Sequence, residues 1–261
     1  DERLALDLMA AIRADAEAAC APSPVEMVSV TIDVSSEAGQ GAETVIEPRI
    51  DRRTRTILFT GGMARQGDTP VMKDKANELN ATGATIYPLE VTDAGSVAAL
   101  KASLGDRPID YLINNAGIGS FAGFKDVDFD EFAHILAVNT IAPVRMIDTF
   151  LDNVAASDVK MAASLSSMMG SIENTTASYG LMYRTSKAGL NMALRAAAPE
   201  LAEKGITLLA LHPGWVHTDM GGKQAPVSPA QSAAGLYKVI TTAGPSSELR
   251  FLDFEGQTHP W

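Results

Sequence analysis

The chain has 261 residues, 32 of them acidic and 21 basic, and its formal net charge is −11 at pH 7. This negative excess argues against nucleic acids and anionic membranes as partners. The single cysteine, Cys20, excludes an intramolecular disulfide framework and a thiolate-rich metal site, and we predict no metal. No apolar run is long enough to span a membrane and no signal-peptide pattern begins the chain, so we expect a cytoplasmic protein.

The first 72 residues predict a helix followed by strands. Residues 2–20 are rich in Ala, Leu, Glu and Arg at helical spacing, which indicates an amphipathic helix. Strand-like runs follow at residues 27–34, 44–50 and 54–61. Apolar and polar residues alternate in the first of these runs, and a short charged turn joins the last two. Because both features are typical of antiparallel meanders, we expect antiparallel pairing over residues 27–61. We therefore divide the chain into a segment 1–72 and a second domain 73–261.

The stretch TGGMARQG, which begins at Thr60, allows two interpretations. In one, it is a turn between antiparallel strands. In the other, residues 54–60 are the first parallel strand of a dinucleotide-binding fold, and Gly61 and Gly67 take the first and third glycine places of its phosphate loop. Arg65 then occupies the second place, where a side chain opposes close approach of the backbone to a pyrophosphate.

From residue 84 onward, strands and helices alternate. The predicted strands are residues 84–91, 110–113, 161–166 and 207–211, and the predicted helices are residues 93–104, 129–150 and 179–203. This order predicts an α/β, Rossmann-like fold, with a parallel sheet covered by helices on both faces. Between Gly61 and Asn114 the sequence is one strand–helix step short of a complete nucleotide-binding half.

Tyr183 and Lys187 are four residues apart on a predicted helix, so they share one face. A phenol beside an ammonium group has a lowered pKa, which suits it to exchange protons near neutral pH. The hydroxyl group of Ser166 or Ser167, at the end of a strand, can polarise a carbonyl or an alcohol. For Ser166 we favour a structural role.

Three further motifs accompany this pair. NNAG lies at residues 114–117, AVN at 137–139 and HPGWVHT at 212–218. In this order they resemble the short-chain dehydrogenase/reductase family over residues 84–261. The C-terminal stretch FLDFEGQTHPW and the loop SSMMGSIENTT are most similar to carbonyl reductases of the sniffer and C-factor type.

The resemblance implies an oxidoreductase that transfers hydride between NADP(H) or NAD(H) and a small carbonyl or alcohol substrate. Tyr183 would be the general acid/base, Lys187 would lower its pKa and hold the nicotinamide ribose, Ser167 would orient the substrate oxygen, and Asn139 would hold a water molecule. The implied cofactor contacts besides Gly61, Gly67 and Lys187 are Glu90, Asn115, Ala116, Gly117, Pro213, Gly214, Val216 and Thr218. Arg65 favours NADP, since a guanidinium group suits a 2′-phosphate. The resemblance also implies a homo-oligomer.

Two other interpretations stay open. The altered phosphate loop is compatible with a catalytically impaired, reductase-like domain. Residues 1–72 also resemble part of a hotdog-fold acyl thioesterase, which would make the chain an acyl-binding segment joined to a truncated reductase. Adding NADPH and following its fluorescence separates an intact reductase from an impaired one.

Overall fold

The computed structural model describes residues 26–33, 56–63 and 85–261. Within these ranges one seven-stranded sheet has the order β3-β1-β2-β4-β5-β6-β7, and every neighbouring pair is parallel. The strands are β1 (Glu26–Asp33), β2 (Thr56–Met63), β3 (Thr85–Pro88), β4 (Tyr111–Asn114), β5 (Met161–Leu165), β6 (Thr207–His212) and β7 (Arg250–Asp253). The predicted helix 2–20, the predicted strand 44–50, Arg65 and Gly67 lie outside the described residues.

The described helices include three that the sequence pattern anticipates and others that it does not. They are α1 (Ala94–Leu104), α2 (Phe129–Leu136), α3 (Ala142–Thr149), α4 (Leu151–Ala155), α5 (Leu181–Glu203) and α6 (Pro229–Thr242). The predicted helix 129–150 is divided, because a π-helical turn over Ala137–Ile141 separates α2 from α3. Asp93 caps α1 by accepting from Ser96 N, and Ser228 and Gln231 form a capping box at α6.

The predicted antiparallel pairing over residues 27–61 is wrong. Glu26 pairs with Thr56 and Asp33 with Met63, so β1 and β2 run in the same direction. The alternating pattern indicates which residues share a face of a strand, but it does not fix the strand's direction. Residues 34–55 separate the two strands, and this length exceeds the dozen or so residues that a parallel crossover needs.

Strand β2 lies beside the central strand β4, with Ile57 opposite Tyr111 and Thr60 opposite Asn114. Doubly wound nucleotide-binding sheets have the strand order 3-2-1-4-5-6, counted along the chain. The position of β2 beside the central strand corresponds to strand 1 of that order, and the phosphate loop follows strand 1. The neighbouring place belongs to the second strand in that order. Here β1, which precedes β2 in the chain, fills it. An upstream strand thus supplies the sheet position that the sequence lacks between Gly61 and Asn114.

The core lies on both faces of the sheet, and every residue of β4, β5 and β6 is buried. On one face, Leu112 of β4 belongs to a cluster with Leu190 of α5 and Phe150. On the other face, the next residue, Ile113, packs with Leu236 of α6 and its neighbours. Adjacent residues of a strand point to opposite faces, so continuous apolar strands require helices on both sides. The prediction of a Rossmann-like sheet covered on both faces is confirmed.

Among the helices that the structure describes, none combines the length and the apolar character that crossing a membrane requires.

Candidate active site

Ser166 and Ser167 follow β5 at the carboxyl edge of the sheet, but their environments differ. Ser166 N donates to Leu211 O at 2.7 Å, and Ser166 Oγ donates to Asn191 Oδ1 at 2.6 Å. Both bonds are internal, which agrees with the structural role predicted for Ser166. Ser167 Oγ instead accepts from Met169 N at 3.1 Å and hydrogen-bonds to Tyr183. Ser167 is therefore the serine whose hydroxyl group lies against the predicted acid/base.

Helix α5 carries Tyr183 and Lys187 one turn apart, and both side chains are buried. Lys187 Nζ lies 5.7 Å from the centre of the Tyr183 ring and donates to Leu165 O at 2.7 Å. Leu165 is the last residue of β5, so this bond ties the helix to the strand that ends beside Ser167. Strand β5 and helix α5 together bring the predicted serine, tyrosine and lysine to one place.

The pKa values differ from the expectation that Lys187 lowers that of Tyr183. Burial raises the pKa of Tyr183 to about 12, although the hydrogen bond to Ser167 lowers it in part. Burial lowers the pKa of Lys187 to about 8. Both shifts have the same cause, because a group removed from water resists carrying charge. Near neutral pH, Tyr183 is therefore a protonated phenol.

Asn139 lies in the π-helical turn between α2 and α3, and its side chain is fully buried. Its Oδ1 accepts from Ile118 N at 2.9 Å, and its Nδ2 donates to Ile118 O at 2.8 Å and to Ser186 Oγ at 2.9 Å. Both amide hydrogens are used by the protein. The predicted role of Asn139 in holding a water molecule stays a prediction, and its side chain joins the turn after β4 to α5.

The turn after β4 contains the predicted nucleotide contacts Asn115, Ala116 and Gly117. A Cβ atom at Gly117 would lie 3.4 Å from Asn139 Oδ1 and 3.5 Å from Lys187 Nζ, in ordinary contact with both, so Gly117 borders the lysine. Asn115 Nδ2 is buried without a hydrogen-bond partner. An unpaired buried donor is costly unless a ligand accepts from it. The residues of this turn therefore fit a polar ligand next to Lys187.

Residues 213–218, which follow β6, are held by hydrogen bonds and close contacts with other parts of the chain. Ser232 Oγ of α6 donates to Pro213 O at 2.5 Å, and a Cβ atom at Gly214 would lie 2.9 Å from the Phe254 ring. Val216 pairs with Val227 in a parallel bridge. Thr218 Oγ1 donates to Val216 O at 3.2 Å and accepts from Gly221 N at 3.1 Å. The predicted nicotinamide segment is thus an ordered loop at the same edge of the sheet.

Glu90 follows β3 near the outer end of the sheet. Its Oε1 accepts from Thr92 N at 2.9 Å and from Thr92 Oγ1 at 2.6 Å, so the carboxylate stabilises its own turn. Its predicted contact with the adenine stays a prediction. Gly61 lies in β2, where its backbone pairs with Thr31.

Phe121 is a site residue that sequence reasoning missed. Its ring stacks on Tyr179 at 5.5 Å between centroids and lies tilted against Tyr183 at 5.9 Å. Tyr179 is 58% exposed, so Phe121 connects the buried Tyr183 to an aromatic ring at the surface. A lone phenylalanine four residues after the NNAG motif carries no sequence signal for this position.

Known proteins resemble this chain in sequence and in fold. The C-signal protein of Myxococcus xanthus is 37% identical over 164 residues, which are 62% of this chain and 99% of that protein. An NADPH-bound carbonyl reductase from chicken fatty liver is 30% identical, with a TM-score of 0.68, and the match covers 78% of this chain and 88% of the reductase. Carbonyl reductase Sniffer of D. melanogaster shares the fold with a TM-score of 0.69 at 24% identity, over 90% of this chain and 99% of Sniffer.

The hotdog resemblance of residues 1–72 is not shown: the match to Sniffer covers 90% of this chain, and β1 and β2 are parallel strands of the same sheet as β4. The family described as short chain dehydrogenase matches residues 61–227 by sequence profile. This match begins at Gly61 in β2 and so includes the predicted phosphate loop together with the turn after β4, α5 and the segment after β6. The chain belongs to the short-chain dehydrogenase family.

Proposed function

We propose that the protein is an oxidoreductase that reduces the carbonyl group of a small aldehyde or ketone, with NADPH or NADH as the hydride donor. The observation that carries the proposal is the hydrogen-bonded pair of Ser167 and Tyr183, with Lys187 one helical turn away. When bound, the nicotinamide cofactor supplies the hydride, and the protein must supply binding, orientation and a proton.

Tyr183 is suited to donate that proton. Because burial holds its pKa at about 12, the phenol keeps its proton throughout the neutral range. An alkoxide formed from a carbonyl group is a stronger base than a phenolate, so proton transfer from Tyr183 to it is favourable. A raised pKa therefore favours reduction of a carbonyl group over oxidation of an alcohol, which would need the phenolate as a base.

Ser167 and Lys187 assist this transfer in different ways. The Ser167 hydroxyl group lies against Tyr183, where it can donate a hydrogen bond to the same substrate oxygen and orient it. Lys187 places an ammonium group 5.7 Å from the centre of the tyrosine ring, and its positive charge stabilises the phenolate that remains after the transfer. Removal of water from this buried group strengthens both effects.

The cofactor is expected to lie across the carboxyl edge of the sheet. Asn115, Gly117 and Lys187 would hold its nicotinamide half, because the unpaired Asn115 Nδ2 is a donor without an acceptor and Gly117 leaves room beside the lysine. Pro213, Gly214, Val216 and Thr218 would close on the carboxamide. The NADPH bound by the chicken reductase supports a nicotinamide dinucleotide as the cofactor. Arg65 favours NADP over NAD.

The test is steady-state consumption of NADPH and NADH by the purified protein with a panel of aliphatic and aromatic aldehydes and ketones. We expect turnover with at least one carbonyl substrate and enhanced NADPH fluorescence on binding. Fluorescence enhancement without turnover on any carbonyl would overturn the catalytic proposal. Absence of both would favour an impaired domain whose phosphate loop, with Arg65 in the second glycine place, no longer holds the nucleotide.

A homo-oligomer remains part of this proposal. The helices predicted to mediate dimerisation, 129–150 and 179–203, carry large exposed apolar side chains in the structure. These are Phe129, Ile141 and Val144 in the first and Met192 in the second, with exposures of 77%, 53%, 39% and 65%. Apolar surface of this kind is typical of interfaces. Sedimentation equilibrium should give a mass larger than that of one chain, and a monomer at all concentrations would contradict this expectation.

A further inference from the structure

We propose that residues 254–261, here named the return segment, act as a positioning element of the active site. The return segment holds the loop that follows Ser167 and the Pro213–Gly214 turn in one fixed arrangement. Its catalytic consequence rests on the proposed function above. This segment is part of the C-terminal stretch that resembles the sniffer and C-factor type reductases, but the resemblance assigns no role to its residues.

The return segment turns back along β7 through a tightly bonded corner. Asp253 Oδ1 accepts from the backbone amides of Glu255 and Gln257, each at 2.9 Å, and Asp253 N donates to Gln257 O at 2.9 Å. Gly256 has a φ of +85°, which a side chain would strain. His259 N then donates to Phe251 O at 2.9 Å. The corner therefore lies at the carboxyl end of β7, and the chain runs back from it antiparallel to that strand, with Leu252 paired to Thr258.

A side-chain hydrogen bond joins the returning chain to the end of β7. His259 Nε2 lies 3.0 Å from Asp253 Oδ2, and the His259 ring meets His212 edge-on at 5.5 Å. Burial alone would raise the pKa of Asp253, but bonds from Gln257, His259 and Glu255 lower it below its usual value. The carboxylate is thus charged near neutral pH, and His259 Nε2 donates to it. His212 ends β6 immediately before Pro213, so the bonded pair His259–Asp253 borders the segment predicted to contact the cofactor.

Trp261 connects the return segment to the loop after Ser167. Its carbonyl oxygen accepts from Ser171 Oγ at 3.3 Å and from Glu173 N at 3.1 Å. Its ring stacks on Phe251 at 5.5 Å, and the guanidinium group of Arg195 lies 5.1 Å above it. These ring contacts fix the position of the carbonyl group. Packing of the Trp261 side chain therefore positions the carbonyl oxygen that accepts from Ser171 and Glu173.

The loop that Trp261 holds begins next to the proposed catalytic serine. Ser167 caps the 3-10 turn Met168–Gly170, and the buried Ser171 follows directly. Residues 172–179 beyond it are exposed, so few contacts within the loop itself can restrain it. A bond at Ser171 is consequently well placed to limit motion at Ser167.

Phe254 forms the second connection. A Cβ atom at Gly214 would lie 2.9 Å from its ring, and a Cβ atom at Gly235 of α6 would lie 2.2 Å from its carbonyl oxygen. Both glycines therefore allow a close approach that no other residue permits. The return segment thus touches one loop through Trp261 and the other through Phe254. Displacement of a reacting group by about 1 Å can reduce a rate on the order of a hundredfold, so a contact that fixes both loops is relevant to catalysis.

The test uses the full chain with Trp261→Ala and Trp261→Phe, and Glu255→Gln serves as a control of unchanged size in the same segment. Hydrogen exchange reports on the loop without depending on any reaction. In Trp261→Ala we expect faster exchange at residues 171–175 and unchanged protection of β5. Trp261→Phe, which retains a ring to stack on Phe251, should restore protection in large part, and Glu255→Gln should match the unsubstituted protein. Should Trp261→Ala fail to fold, His259→Ala, which removes the bond to Asp253 and the ring contacts with His212 and Phe251, takes its place.

Steady-state kinetics of the same variants test whether the position of the loop affects turnover. We expect Trp261→Ala to lower kcat about tenfold or more, with the KM for NADPH changed less, and Trp261→Phe to recover most of the loss. Unchanged exchange at residues 171–175 would overturn the inference even if the protein reduces carbonyls. Faster exchange with unchanged kcat would also overturn it, since the loop would then be held for stability alone. If no carbonyl is reduced by the unsubstituted protein, the proposed function fails, and the exchange arm still decides whether the return segment holds the loop.

Discussion

Replacing Tyr183 by phenylalanine removes one buried hydroxyl group and leaves the ring against Phe121 and Lys187. The fold should survive, because the lost hydrogen bond to Ser167 is worth about 1 kcal/mol and Ser167 Oγ keeps its bond from Met169 N. Carbonyl reduction should fall on the order of a hundredfold or more, since a positioned proton donor contributes at least that much. This corresponds to roughly 3 kcal/mol of transition-state stabilisation.

The assay is NADPH consumption with the best substrate of the panel, together with the thermal midpoint of unfolding. Tyr179→Phe is the matched control, because it removes the same group from an exposed ring that stacks on Phe121. We expect normal turnover and an unchanged midpoint in Tyr179→Phe, and a midpoint lowered by only about 2–4 °C in Tyr183→Phe. Turnover of Tyr183→Phe within about threefold of the unsubstituted enzyme would refute the assignment of Tyr183 as the proton donor.

Three further predictions follow from the same site. Because burial lowers the pKa of Lys187 from 10.5 to about 8, its ammonium form is lost early, and kcat/KM should decrease as the pH rises through about 8; a flat profile to pH 10 would contradict this. Gly170→Ala should lower both stability and kcat, because its Cβ would lie 2.9 Å from the Lys187 backbone. Asn139→Ala leaves the Ile118 amide and carbonyl groups unpaired and should lower the free energy of unfolding by about 2–4 kcal/mol, measured by urea denaturation.

The half of the chain after residue 110 could be predicted because local patterns and topology agree there. Apolar runs such as β5 and β6 are buried on both faces, and alternation with helices leaves a parallel sheet as the natural arrangement. The proximity of Tyr183 and Lys187 follows from helical spacing, and the accompanying motifs select this pair as the candidate site. The π-helical turn at Asn139 could not be predicted, since it depends on the distant partners Ile118 and Ser186.

Other features escaped prediction for electrostatic or topological reasons. The pKa of Tyr183 depends on how completely it is buried, and a four-residue spacing to Lys187 gives no measure of that. The direction of β1 depends on the crossover between residues 33 and 56, which strand alternation does not determine. The return segment belongs to a stretch whose sequence resembles carbonyl reductases, but that resemblance gives no contact for Phe254 or Trp261. Its function as proposed here arises from contacts of Trp261 and Phe254 with elements far away in the chain.

The parallel placement of β2 changes what we expect of the cofactor. Gly61 now lies near the carboxyl end of the strand that in this fold carries the phosphate loop, so nucleotide binding does not depend on the nicotinamide end alone. Contacts from Asn115, Lys187 and Thr218 would each contribute about 1 kcal/mol, whereas charge-assisted bonds to phosphate are stronger.

Arg65 is expected to decide between the two dinucleotides, although its place in the altered loop should make both bind more weakly than in an intact family member. A guanidinium group near the ribose stabilises a 2′-phosphate, which NADPH has and NADH lacks. Titration calorimetry should give tighter binding of NADPH, and Arg65→Ala should weaken it by roughly tenfold while leaving NADH unchanged. Arg65→Lys, which keeps the charge and loses the bidentate geometry, should fall between the two. An equal loss for both nucleotides would refute recognition of the 2′-phosphate and would assign Arg65 to the shape of the loop.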